Sequence, residues 1–469
     1  MRVEEDLRAW YGWAELSPPD PIEAGSFGHW QLIYHVGRYG IRAGGSLKLL
    51  FAAASDWAAP QGKDPYEESF FTVTTSGQGH VAWRYDPRGH SEPWPRAVTV
   101  DVARAGLAEG DTVTFHLGDP EGGSPGMRAP TFCERGHELR VVVDPFGTGR
   151  YVAVPSPVVD IVAGPAARLV LVAPSRVAPG EPFEVTVRIE DRWGNPVESY
   201  AGRVHLQGLP GLDQVELSAA DGGVRQVRCQ GLDRPGTHRP VAHEARLDLA
   251  AESNPVWVEE RTPGTLLALW GDLHAQSAEG CGGHAAPGCL RHARDVACLD
   301  FCSHQGSAYQ IGEASWEELR ESVRRHDEPG RFAAFLGYRW AGSTAGGGTR
   351  SVLFLGHDAR ILRCSRARLR EGEEGDVCYP LTELYQALRG QEALLVASAV
   401  SPAANPDFYD PELERLVEVY SSWGQADWLL AEALRRGHRV GFVAGSADPR
   451  GCPGANCPGA GSLVSRGGL

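Results

Sequence analysis

The chain has 469 residues, too many for one ordinary core and enough for about three domains. Its 60 Asp and Glu against 45 Lys and Arg leave a net charge of −15, which repels phosphate backbones and excludes nucleic acid as a bulk partner. The opening MRVEEDLRAWYGW has charges throughout and no apolar core, unlike a secretory signal, and no run of ~18 apolar residues offers a membrane span; a cytoplasmic protein with no membrane partner is expected.

Residues 1–25 read as a loose lead-in. Over 26–156 the pattern is β: Val98, Val100 and Val102 alternate, as do Val113, Phe115 and Leu117, and turn clusters such as Gly118–Gly126 separate the runs, which predicts a β-sandwich. Trp10, Trp13 and Trp30 suit either a sugar platform or ordinary packing. A second β module follows over 157–261, where Phe183, Val185, Val187 and Ile189 alternate before the turn Asp191–Pro196, and Val204 and Leu206 resume the pattern. Its size and short strands predict an immunoglobulin-like sandwich.

From 262 to 469 the pattern changes. Apolar strands at Leu266–Trp270, Leu299–Cys302, Phe332–Leu336, Ser351–Leu355, Leu394–Ala397, Leu416–Tyr420 and Val440–Ala444 mostly alternate with helical stretches, which predicts a largely parallel sheet or barrel. Ser315 and Glu318 form a capping box ahead of Leu319 and Val323, and a second helix runs from Gln425 to Arg436 and stops at Gly437. The Leu266–Trp270 run leads into Gly271-Asp272-Leu273-His274, and the next run ends in Ser303-His304-Gln305. Carboxylates and imidazoles at strand ends are what the mouth of an α/β barrel uses to hold metals or phosphates.

Of ten cysteines only Cys452 and Cys457 form a spaced pair, the wrong framework for structural zinc without a second pair nearby. The rest read as reduced, half-buried thiols. His284, His292 and His326 read as ordinary exposed residues. With 58 Gly and 33 Pro the chain is turn-rich, as β domains and long loops require.

Gly271-Asp-Leu-His274, Ala293–Phe301, His304-Gln-Gly306, Gly337-Tyr-Arg-Trp340, Glu418-Val-Tyr-Ser421, Gly445-Ser446 and Pro453-Gly454 resemble one group of the PHP superfamily, named for polymerase and histidinol phosphatase domains. The group is a domain-of-unknown-function family with β domains in front, and Gly110-Asp-Thr-Val113 and Gly122–Gly126 match its N-terminal region. The resemblance implies a distorted βα barrel whose mouth holds divalent zinc, manganese or iron and hydrolyses phosphoesters. Asp272, His274 and His304 would be its metal ligands, with His304, Glu279 and Glu418 serving catalysis.

The departures are as informative. The usual His-x-His is His274-Ala-Gln276, Gly-Tyr-Glu-Trp has become Gly337-Tyr-Arg339-Trp340, a ligand His is replaced at Ser398-Ala399, and Asp-x-His is gone from Gly445–Pro449. Relatives of this group continue beyond Leu469, so a truncated barrel with an open, association-prone edge is expected. The prediction is a metal-dependent hydrolase by descent whose activity is weak or absent. The alternative is a non-catalytic scaffold or binder of small anionic or phosphoester ligands through Arg339 and Arg350. Each residue also has a plain reading: Asp272 caps a loop, His304 bonds a carbonyl, Glu279 is solvated, Glu418 pairs with Arg339, and the arginines reflect drift. Cys452 and Cys457 with His304 are a remoter site.

Overall fold

The computed structural model describes residues 2–91, 93–262, 264, 266–277, 284–365, 376–400, 402–448 and 450–454, in two compact units, Met1–Gly164 and Pro165–Leu469. The protein is mostly β-sheet.

In the first unit a four-stranded sheet orders Trp13–Ser17, Trp30–His35, Thr112–Leu117 and Phe71–Thr75. A five-stranded sheet orders Val152–Ala153, Arg140–Asp144, Ser46–Phe51, Arg96–Ala103 and His80–Asp86. Val98, Val100, Val113, Phe115 and Leu117 are fully buried, as their alternation requires. The two sheets meet as a β-sandwich where Phe71 sits edge-on to Trp83, ring centroids 4.9 Å apart.

Residues 1–25 are not a loose lead-in. Helix Arg2–Tyr11 precedes strand Trp13–Ser17, which pairs with Trp30–His35, and Ile22–Glu23 pairs in parallel with Val158–Val162. Buried Leu16 and Ile22 tie them to the core. The tryptophans pack: Trp13 stacks on His35 at 4.2 Å, and Trp30 meets Trp57 at 5.1 Å.

The second unit opens with β modules of the same character. Arg168–Val172, Phe183–Glu190 and Val224–Cys229 form one sheet; Gln214–Leu217, Gly202–Gln207, Val241–Glu244 and Leu249–Glu252 form another. Val185, Val187, Ile189, Val204 and Ala242 are wholly buried.

An eight-stranded mixed sheet follows. Gly271–Ala275, Phe301–His304 and Ala333–Ala341 run parallel, and Thr349–Phe354 is antiparallel to both its neighbours. Ala393–Ala397, Glu414–Ser421 and Gly441–Ala444 are again parallel, and the short Gly424–Gln425 returns against Glu414–Ser421. Helix Glu313–His326 buries Trp316, Leu319 and Val323 against this sheet. It starts after Gly312, so Ser315 lies inside it and caps nothing. Asp427–Arg435 ends before Gly437, whose φ of 79° is left-handed.

One sequence expectation changes here. Leu266–Trp270 is not a buried strand: Leu266 is 88 % exposed, and pairing begins only at Gly271, opposite Phe301. Among the described residues no strand ladder joins Gly271–Ala275 to Gly441–Ala444. Past Gly441–Ala444 the chain crosses to the first strand, where the Ala447 amide donates to the His274 carbonyl at 2.8 Å.

Arg350, expected as an anion ligand, is instead a clamp inside this sheet. Its Nε donates to Glu414 Oε1 at 2.7 Å, while Nη1 and Nη2 donate to the carbonyls of Gly347, Thr349, Asn405 and Phe408. With its donors spent on the fold and 1 % of its surface exposed, it has nothing to offer a ligand. Arg350→Met leaves the buried Glu414 carboxylate with the Tyr385 hydroxyl but no countercharge, and is expected to cost about 3–5 kcal/mol in urea denaturation. Adding Glu414→Gln should recover part of that loss; an unchanged midpoint in Arg350→Met would refute the clamp.

Candidate functional site

Asp272 and His274 lie two apart on the first strand, so both side chains leave its same face. Both are buried, at 0 % and 2 % exposure. Glu418, on strand Glu414–Ser421, reaches them: its Oε1 accepts from His274 Nδ1 at 2.6 Å, and its Oε2 accepts from Ser398 Oγ at 2.7 Å. Gln276 Nε2 lies 3.2 Å from His274 Nε2, so both ring nitrogens are engaged. Asp272 Oδ1 accepts from the amides of His274 at 2.9 Å and Ser446 at 3.1 Å, whereas its Oδ2 is buried with no hydrogen-bond partner.

Burial therefore pushes the Asp272 carboxyl above its ordinary range, against the hydrogen bonds from Ser446 and the His274 amide. Burial acts the same way on Glu418. There the charge and hydrogen bond of His274, with help from Ser398 and Arg339, outweigh it and hold the carboxyl low.

Arg339 does not pair directly with Glu418. Its backbone bridges to Gly306 and Ala308, and its Nη2 donates to Ser307 Oγ. It is 9 % exposed, its Nε has no hydrogen-bond partner, and among the described residues no carboxylate lies within ion-pair distance. His304 ends the second strand, buried to 1 %, with Nδ1 accepting from the Gly306 amide at 3.4 Å. A Cβ at Gly306 would fall 2.6 Å from His304 Cε1, so only glycine lets the ring fold back over its own loop. Glu279 lies outside the described residues.

Two of the side chains expected at the site are already spent on other bonds. His274 and Glu418 are saturated by each other, Gln276 and Ser398; Asp448, in the last motif, is held by Arg450 through two contacts of 2.7 Å. Among the described residues no three His, Cys, Asp or Glu side chains gather as a metal site. The sequence located Asp272, His274 and Glu418 but not that Ser398, Ser446 and Gln276 complete their bonding. The replaced position Ser398 was the available signal. A cavity of about 40 Å³ opens beside Glu418, lined by Val400, Tyr420 and Trp423, room for a few waters or one small ligand.

No protein-family model matches the chain. An uncharacterized protein of Chlamydia trachomatis is 25 % identical, over 92 % of this chain and 73 % of its own length. One of Chlamydia muridarum is 26 % identical, over 73 % of this chain, which spans 59 % of that relative's length. Among solved structures, the Escherichia coli adhesin FdeC aligns with 53 % of the chain and 63 % of its own at 12 % identity and a TM-score of 0.23. The Yersinia pseudotuberculosis adhesin InvE aligns with 52 % of the chain and 58 % of its own at 11 % identity and a TM-score of 0.17. Likenesses this distant carry no argument about the chain.

The two carboxyls predict opposite pH responses. Asp272, with its folded value raised, stabilises the fold below the ordinary Asp range of ~3.9, and that contribution disappears as pH rises through the folded value. Glu418, with its folded value lowered from 4.5, stabilises above that point and loses its effect as pH falls through the folded value. In thermal melts, Asp272→Asn should gain on the wild type toward about pH 8, and the deficit of Glu418→Gln should shrink below about pH 4. Parallel melting curves for either variant across that range would contradict the assignment.

Proposed function

We propose that the α/β part of the second unit is a degenerate PHP-like barrel that binds a small anion without metal. Arg339 carries this reading: a buried guanidinium with a spare Nε–H and no carboxylate partner among the described residues is complementary to a phosphate or carboxylate oxygen. The surrounding charge supports it. Burial disfavours the ionised form of Asp272, and the Glu418 carboxylate is engaged by His274 and Ser398, so neither neighbouring carboxyl is bonded to Arg339. The saturated bonding of His274 and Glu418 argues against the metal-activated water that phosphoester hydrolysis in this superfamily needs. Descent from such hydrolases is what the sequence motifs imply; loss of their activity is the reading of this chain.

Calorimetric titration with inorganic phosphate, sulfate and acetate in the presence of EDTA tests the proposal. Binding is expected for one of these anions, unchanged by EDTA and weakened about 10–100-fold in Arg339→Gln, since a hydrogen bond to a charged group contributes ~1.5–3 kcal/mol. Without anion, Arg339→Met should be at least as stable as the wild type, because it removes a buried unpaired charge. Failure to bind all three anions, or binding that requires Mn²⁺ and survives Arg339→Gln, would overturn the reading.

A further inference from the structure

A second polar centre lies away from the Asp272–Glu418 cluster. Cys452 follows Gly451, whose φ of 78° turns the chain back and whose missing Cβ leaves room for His284, 3.0 Å away. Its Sγ stands 3.6 Å from Nδ1 of His284. His292, which closes helix Ala286–Arg291 and starts the π-turn His292–Val296, brings a second imidazole within electrostatic reach of the sulfur. The Nε2 of His292 is buried and has no hydrogen-bond partner. On the same loop Asp448 and Arg450 neutralise each other, so the two imidazoles set the local charge.

Burial by itself would keep this thiol protonated. The charges of His292 and His284 and their hydrogen bonds overcome it and draw the thiol down to about 5. Cys229, Cys298, Cys364 and Cys378 go the other way, each pushed up by burial. Cys452 is thus set apart by its neighbours, not by its residue type.

We propose that Cys452, held between His284 and His292, is a nucleophilic thiolate that reduces small hydroperoxides. The class follows from the partners. An alkylating electrophile needs only the sulfur, whereas a hydroperoxide also needs a proton for its leaving oxygen, and an imidazolium at 3.6 Å can supply it. The half-buried sulfur favours a small, uncharged reactant. In the step, a sulfur electron pair attacks the terminal peroxide oxygen; the S–O bond forms as the O–O bond breaks. The departing oxide takes the imidazolium proton and leaves as water or alcohol. Sulfur loses two electrons, the peroxide gains two, and Cys452 becomes a sulfenic acid.

The full chain is treated with hydrogen peroxide, sulfenic acid is trapped with dimedone, and each cysteine peptide is quantified by mass spectrometry. At about pH 6 a thiolate of this acidity is some 300-fold more populated than an ordinary thiol, offset ~30–40-fold by lower intrinsic nucleophilicity, so Cys452 should label about 10-fold faster than Cys133 or Cys364. Its rate should fall off near pH ~5 in the wild type, and that inflection should move above the ordinary thiol value of ~8.5 when His284 and His292 are both replaced by Gln. The comparison among cysteines of the unaltered protein stands even if the double variant does not fold. Labelling of Cys452 no faster than the other two would overturn the proposal. So would one equivalent of zinc retained by the purified protein and lost in Cys452→Ser, since a metal-held sulfur is not a free nucleophile.

Discussion

The α/β part of the chain turns on one hydrogen bond, His274 Nδ1 to Glu418 Oε1 at 2.6 Å. Its partners stand on the first and sixth strands of a sheet in which those strands are not neighbours, so the sheet must curl to bring them together. Neither side chain tolerates such burial alone: a lone buried carboxylate costs several kcal/mol, and what makes it acceptable is a partner with good geometry and no lone pair left over. Ser398 and Gln276 meet that second condition from two further segments. The crossing chain is shaped by the same pair. A Cβ at Gly445 would lie 2.4 Å from His274 Cβ and 2.7 Å from Glu418 Oε1, so only glycine lets the segment after the eighth strand pass.

Once the pair is closed, its neighbours divide by whether their own bonding is complete. Arg350, with Glu414 and four carbonyls, is complete and therefore structural. Arg339 is incomplete at Nε, and Asp272 is incomplete at Oδ2. Both arginines looked alike in the sequence, as cations where the resembled family has other residues. Buried polar groups are nearly always satisfied, so an unsatisfied one marks strain or a place for a ligand. That distinction comes from the hydrogen bonds alone.

Much of the fold was legible because alternation is a local signal. Val185, Val187 and Ile189 occupy the buried face that their spacing predicted, and Leu319 and Val323 face the core from one helix. What failed were boundaries decided by tertiary contacts. Leu266–Trp270 has the composition of a buried strand, but the ladder starts where Phe301 can cover Gly271, and the apolar run is left on the surface. Ser315 and Glu318 have the spacing of a cap, yet the helix begins two residues ahead of Ser315. The site was half legible. Asp272, His274 and Glu418 stood out as polar residues in apolar strands, but nothing local says that Glu418 turns to His274 and not to Arg339.

Cys452 marks the limit of reading by spacing. Its partner His284 is 168 positions away, and both it and His292 read as solvated residues because histidine on a loop or a helix end usually is. A cysteine gains reactivity from charges placed by the fold, against a desolvation cost that the same fold imposes. At the His274–Glu418 pair the charge and hydrogen bonds also outweigh burial, but within a network that Ser398 and Gln276 close. At Cys452 the imidazoles win without closing the network, since His292 keeps a nitrogen unbonded. A saturated dyad holds the sheet together and has no valence left for chemistry; a thiolate beside an unspent imidazole has both a nucleophile and a proton to give.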